Sequence, residues 1–212
     1  MKTVRILGRR LRLAILISIV LMVLMLAGSL IPLGAEEGEK IREELEKLGG
    51  EGLEQGIFLN NFTIALIALI PFLGPIIMGY VVFHTGRFLG WMGLELGMPP
   101  YHLIPFTLGT IILTGYGILE FLGYGVAVSE SLTLSYYILR ARALLRSELK
   151  ILLIVIGVIA LLLFLGAVIE AALIKALESG FSEALQASPK ICLLYTSPSP
   201  RDLSTSRMPS SA

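Results

Sequence analysis

The sequence predicts an all-α protein, a polytopic transmembrane helix bundle of about five spans, some of them kinked or broken. Hydrophobic residues make up 55% of the 212 residues, a share typical of an integral membrane protein rather than a soluble domain. Several apolar runs without charges are long enough to cross a bilayer as helices. Basic residues cluster beside these runs, which is the pattern that orients membrane spans.

The first span is predicted at residues 13–33, an apolar run that follows a basic segment ending at Arg12. A cleaved signal peptide is the alternative, because the sequence Leu33-Gly34-Ala35 ends in small residues. The run is longer than the apolar core of a usual signal peptide, and further apolar runs follow it. We therefore expect a retained helix, and the N-terminal arginines predict a cytoplasmic N-terminus.

Residues 34–55 form a strongly acidic segment, which we expect as a loop on the extracytoplasmic side. Ile41, Leu45 and Leu48 follow helical spacing within it. They predict a short amphipathic helix that ends at the glycine pair after Leu48.

The second span is predicted at residues 57–83, with Asn60 and Asn61 near its start. Pro71 and Pro75 lie inside this run. Each proline removes a backbone donor, so the pair predicts a kink or a break in the helix. Such breaks are tolerated where neighbouring helices or water satisfy the freed carbonyl groups.

A polar segment at residues 84–103 is predicted to face the cytoplasm. It contains the only two histidines, His84 and His102. Their spacing does not match a metal-binding pair on one helix turn, so we predict interfacial histidines and no metal site.

Two further crossings are predicted, at residues 104–118 and 119–139, because a second basic cluster begins at Arg140. The stretch is short for two full helices. Either a tight hairpin near Gly115–Gly117 or one broken, re-entrant segment would satisfy the count. The last span is predicted at residues 151–173, which are almost wholly aliphatic.

Two carboxylates interrupt the apolar stretch before Arg140. A carboxylate at membrane depth costs a few kcal/mol unless it is paired, protonated or turned toward water, so Glu120 and Glu130 are the first candidates for function. At 3.6 residues per turn they point roughly 80° apart and need not form a pair. The predicted polar centre of the bundle consists of Glu120, Glu130, Asn60, Asn61, Gly117 and Tyr116.

The sequence changes abruptly at its C-terminal end to Ser/Pro-rich, aperiodic composition. Cys192–Asp202 and Ser206–Ala212 look like parts of a translated sequencing adapter, so residues 192–212 are excluded as an artefactual disordered tail. We expect one integral membrane domain over residues 1–191 and a natural C-terminus that is missing or unknown. The only cysteine lies in the tail, so no disulfide and no cysteine metal ligand are predicted for the rest.

The order of several motifs resembles the stage II sporulation protein M family. These motifs are Asn60-Asn61, Gly79, the turn from His84 to Gly90, and Gly117-Ile-Leu-Glu120, and the resemblance covers most of residues 57–174. The chain departs from the family pattern at Gly115-Tyr116, where the family usually has Pro-His. The resemblance implies a membrane scaffold that helps to organise an envelope machine.

These observations predict a non-enzymatic scaffold or assembly protein of the cytoplasmic membrane. The chain contains no metalloprotease, serine hydrolase or phosphate-binding motif, and no basic patch that would bind nucleic acid. We predict no cofactor. The expected partners are the lipid bilayer, membrane or envelope proteins, and a second copy of the chain. The alternative is a transporter or permease subunit that uses Glu120 and Glu130.

Overall fold

The computed structural model describes residues 2–48, 52–141, 143 and 145–187. This part of the chain is helical and contains no strand, so the predicted all-α class is confirmed. The chain divides into two compact units, residues 1–171 and 172–212. The seven helices are α1 (Lys2–Ser29), α2 (Ala35–Leu48), α3 (Leu53–Ala68), α4 (Gly74–Glu95), α5 (Pro100–Leu113), α6 (Tyr116–Arg140) and α7 (Leu145–Ala187).

Two of the described helical segments are long and apolar enough to cross a membrane. They are Gly8–Ser29 of α1 and Leu149–Leu177 of α7. The predicted amphipathic helix is present as α2. The glycine pair predicted to end it, the predicted tail at 192–212, and the predicted domain boundary at 191 all lie outside the described residues. The boundary between the compact units falls earlier, directly after Ala171, which is the last described residue of α7 that is buried.

Helices α1 and α4 touch backbone to backbone. A Cβ atom on Gly86 would collide with the carbonyl oxygen of Met25, and one on Gly90 would collide with that of Ser29. Because the contacts advance along both helices together, α1 and α4 run in the same direction. Small residues at such crossings let two backbones approach closely, and this gains dispersion energy along the whole contact.

Helix α6 runs antiparallel to α1. The hydroxyl of Ser18 donates a hydrogen bond to the carbonyl of Phe121 at 2.8 Å, and Gly125 packs directly on Ala14 and Ser18. Farther along the pair, Arg10 of α1 lies beside Glu130 of α6. We call this end of the bundle the basic end and the opposite end, where α1 finishes and α2 begins, the acidic end.

The predicted second span at 57–83 is wrong as a single helix, because it forms two helices that run in opposite directions. Helix α3 stops at Ala68, and the turn that follows contains Pro71 and Phe72, whose φ of 66° lies in the left-handed region. Two serines of α6 form hydrogen bonds with backbone groups of this turn. Ser131 donates to the carbonyl of Ile70 at 2.7 Å, and Ser135 accepts from the amide of Phe72 at 2.8 Å.

The direction of α4 follows from its two ends. Its first residue, Gly74, packs against Ser131 near the basic end, whereas Gly90 packs against Ser29 at the acidic end. Of the two predicted outcomes, a kink or a break, the prolines mark a break, and the chain reverses its direction there. Pro71 lies in the turn and Pro75 lies in the first turn of α4, where a missing amide donor costs nothing.

Because of this reversal, the segment 84–103 begins at the acidic end of the bundle, although the sequence predicts it on the same side as the N-terminus. Helix α4 continues through it to Glu95. His84 Nε2 lies 3.2 Å from a carboxylate oxygen of Glu37 in α2, and Arg87 Nε donates to the carbonyl of Ile31 at 3.0 Å. The histidine and arginine thus lie at the acidic end, beside the acidic segment, and not beside the N-terminal arginines.

The two crossings predicted at 104–118 and 119–139 correspond to helices α5 and α6, but α5 is too short to cross a bilayer. Helix α5 has 14 residues and is therefore about 21 Å long, less than the roughly 30 Å of a bilayer core. Gly115, with φ 74°, joins it to α6, within the region predicted for a hairpin turn. Helix α7 packs on α6 through Leu163 against Gly123 and Gly166 against Glu120, and so runs antiparallel to it.

The first prediction concerns the backbone contact between α1 and α4. Gly86→Ala is expected to lower the free energy of unfolding by about 1–3 kcal/mol, because the new methyl group would force the helices apart. The matched control is Gly79→Ala on the same helix, whose Cβ would make an ordinary 3.5 Å contact with Leu24. Its expected effect is at most about 1 kcal/mol, and stabilising. Thermal unfolding in detergent, followed by the fluorescence of the single tryptophan, measures both. Equal stabilities would contradict the close contact.

Candidate functional site

Helix α6 carries both predicted carboxylates, and many of its residues around them are buried. Its small residues, among them Gly123, Gly125 and Ala127, are buried against neighbouring helices. Since these residues have little or no side chain, the neighbouring helices come close enough for polar groups at the same level to meet.

Glu120 meets α3 through an amide. The Nδ2 atom of Asn61 donates a hydrogen bond to Glu120 Oε1 at 2.6 Å. Asn60 is exposed, and its own amide lies 3.3 Å from Asn61 Oδ1. The structure thus brings together Asn61 and Glu120, which lie on different helices and are 59 residues apart in sequence.

Glu120 also meets α7 through a second carboxyl group. The carboxyl group of Glu170 lies next to that of Glu120. Gly166, four residues before Glu170, makes this possible, because a Cβ there would lie only 3.3 Å from Glu120 Cγ. We call Asn61, Glu120 and Glu170 the Glu120 cluster.

The chemistry of the Glu120 cluster follows from its donors. An ionised carboxylate is an acceptor only, so two carboxyl groups can hydrogen-bond to each other only when they share a proton. One proton shared between α6 and α7, with Asn61 on the other side of Glu120, would satisfy both carboxyl groups. Within the described residues, no three His, Cys, Asp or Glu side chains converge as metal ligands would.

Two further predicted residues lie beside this cluster. Tyr116 begins α6, and its side chain is hydrogen-bonded to Thr114 close to both carboxyl groups. Gly117 is buried against the backbone of Ile111 and contributes packing between α5 and α6 rather than a polar group.

Glu130 lies in a different place, at the basic end. Its side chain is only 3% exposed, and Oε2 lies 3.3 Å from a guanidinium nitrogen of Arg10. A buried carboxylate needs such a partner, since an unpaired buried charge is strongly destabilising. The two carboxylates of α6 thus form two separate sites, each tied to a different helix.

The sequence places Asn61 in the same predicted polar centre as Glu120, but it does not predict Glu170 or Arg10 as partners of the two carboxylates. In the sequence, Glu170 lies near the end of the predicted last span, and Arg10 lies in the basic segment before the predicted first span. A local signal existed for Glu170, because it is the only charged residue in the run from Ile151 to Ile174. For Arg10 no local signal exists, since its pairing depends on the register between α1 and α6.

Comparison of the chain with protein-family models, with curated proteins and with solved structures gives no match. The resemblance to the stage II sporulation protein M family therefore stays a hypothesis that rests on the motifs themselves. Of these motifs, the structure joins Asn61 to Glu120, whereas Gly79 and the segment from His84 to Gly90 lie on α4.

The second prediction concerns the bond between α3 and α6. Asn61→Ala and Glu120→Ala are expected to show a coupling of about 0.6–2 kcal/mol in a double-mutant cycle, the range found for hydrogen bonds between membrane helices. Glu120→Gln should retain most of the stability, because its amide can still bind both neighbours. Thr63→Ala, an exposed position on the same helix, is the control. Additive losses in thermal unfolding would mean that Asn61 and Glu120 do not interact.

Proposed function

We propose that the chain is a multi-pass protein of the cell membrane that acts as a non-enzymatic scaffold or assembly factor. The observation that carries this proposal is the engagement of both α6 carboxylates by other helices of the same chain. Arg10 of α1 binds Glu130, while Asn61 of α3 and Glu170 of α7 bind Glu120. Polar contacts between helices of one chain stabilise the packing of the bundle.

Exposed apolar surface supports the membrane location. Large aliphatic side chains point outward from several helices, among them Ile76 at 69% exposure and Leu153 at 73%. Such residues would be costly in water along whole helices, whereas lipid solvates them without cost. By the distribution of arginine and lysine, the basic end belongs in the cytoplasm and α2 on the opposite side.

The scaffold role draws on the small extent of polar structure outside the bundle and on the family resemblance. Helix α2 is the only described helix that is predominantly polar, and it folds back on α4 through Glu37 and His84. A compact bundle with one short accessory helix is suited to binding other membrane or envelope proteins through its sides. Partners of this class are therefore the expected ligands.

Proton- or cation-coupled transport is the second candidate. The observation that favours it is the Glu120–Glu170 carboxyl pair, because shared-proton carboxyl groups inside a bundle are typical of proton relays in carriers. Helices interrupted by proline, such as the turn between α3 and α4, also occur at transport sites.

The third prediction concerns sidedness. In a Cys192→Ser background, single cysteines at Glu43 and Glu95 should react with a membrane-impermeant maleimide on intact cells, because both positions lie at the acidic end. A cysteine at Arg140, at the other end of α6, should react only after permeabilisation. Protection of position 95 together with position 140 would contradict the reversal at Pro71.

The fourth prediction separates the two functions. For a scaffold, Glu120→Gln should leave the set of co-purified membrane partners unchanged, because the amide preserves the contacts of the cluster. For a proton-coupled carrier, the same change should abolish most ion or substrate flux at equal expression, because an amide cannot release a proton. The control is Glu43→Gln, which makes the same change on an exposed position of α2. Loss of flux with Glu120→Gln alone would refute the scaffold role in favour of transport.

A further inference from the structure

A cavity opens at the basic end between the start of α1 and the last turns of α6. Its volume is about 310 Å³. Arg9 and Arg10 line it from α1, while Thr133, Tyr136 and Tyr137 line it from α6. The side chain of Leu13 forms part of its apolar wall. The cavity is separate from the Glu120 cluster, which lies farther toward the acidic end.

The charges in this cavity are unequal. Arg10 is balanced by Glu130, which lies 3.3 Å away and is buried. Arg9 is exposed and adds positive charge to the same wall. A guanidinium group matches the oxygen geometry of a phosphate, and the tyrosine hydroxyls of the lining can donate further hydrogen bonds to it. The cavity therefore has the chemistry of an anion site with an apolar side.

We propose that this cavity binds the phosphate headgroup of an anionic phospholipid. The inference rests on the proposed membrane location, which puts the basic end at the cytoplasmic leaflet, where anionic lipids attract basic residues. Tyrosines prefer the headgroup level of a bilayer, and Tyr136 and Tyr137 meet that expectation. Leucines at the apolar wall would contact the glycerol and the first part of the acyl chains.

The test measures lipid binding to the full chain purified in detergent, by native mass spectrometry during titration with phosphatidylglycerol or phosphatidylcholine. Arg9→Gln is expected to weaken phosphatidylglycerol binding about fivefold, the effect of one basic residue near an anionic surface, and to leave phosphatidylcholine binding unchanged. Arg12→Gln is the matched control, because Arg12 is exposed on the same helix and does not line the cavity. It should change neither affinity more than about twofold. Arg10 is left intact, because it also holds Glu130.

Tyr137→Phe provides an independent variant on α6, because it removes one hydroxyl donor of the cavity, with an expected loss of selectivity for phosphatidylglycerol in the same direction. Equal effects of Arg9→Gln and Arg12→Gln would overturn the proposal in favour of diffuse surface charge. Displacement of the lipid by millimolar inorganic phosphate would assign the cavity to free phosphate and overturn the lipid assignment. Release of the wild-type protein from membranes by alkaline carbonate would refute the membrane location itself. If the wild-type protein stays in the membrane but Arg9→Gln leaves its lipid selectivity unchanged, this inference alone would be refuted.

Discussion

The close approach of helix backbones is the constraint on which the rest of the structure depends. Gly86 and Gly90 allow α4 to lie against the carbonyl groups of α1, Gly125 does the same for α6 on α1, and Gly166 lets α7 lie beside the side chain of Glu120. Short polar bonds then become geometrically possible. A larger side chain at these positions would separate the helices and, with them, the atoms of Ser18 and Phe121 or of Glu120 and its neighbours.

The helices of this chain are largely predictable from its apolar runs, but the path between them is not. A run of 27 residues from Ile57 to Phe83 has the length of one span, and the two prolines correctly indicate an interruption. Whether the chain bends or turns back there depends on the left-handed Phe72 and on Ser131 and Ser135, which are about 60 residues away. No local pattern contains that information. The segment after residue 83 is therefore predicted at the basic end, whereas it lies at the acidic end.

The candidate site shows the same division. Composition identifies Glu120, Glu130 and Asn61 because polar residues are conspicuous in apolar helices. Pairing them requires the register of one helix against another, which a period of 3.6 residues does not supply. The sequence alone therefore does not show that Glu170 and Arg10 each lie beside a carboxylate of α6.

The turn between α3 and α4 leaves an apolar tip at the basic end. The sequence from Leu69 to Leu73 contains no charged residue, and Ile70, Phe72 and Leu73 project outward with 43%, 47% and 53% of their surface exposed. Exposed apolar side chains gathered at one place favour contact with lipid or with another protein. The turn that reverses the chain therefore also gives this end of the bundle an apolar contact surface.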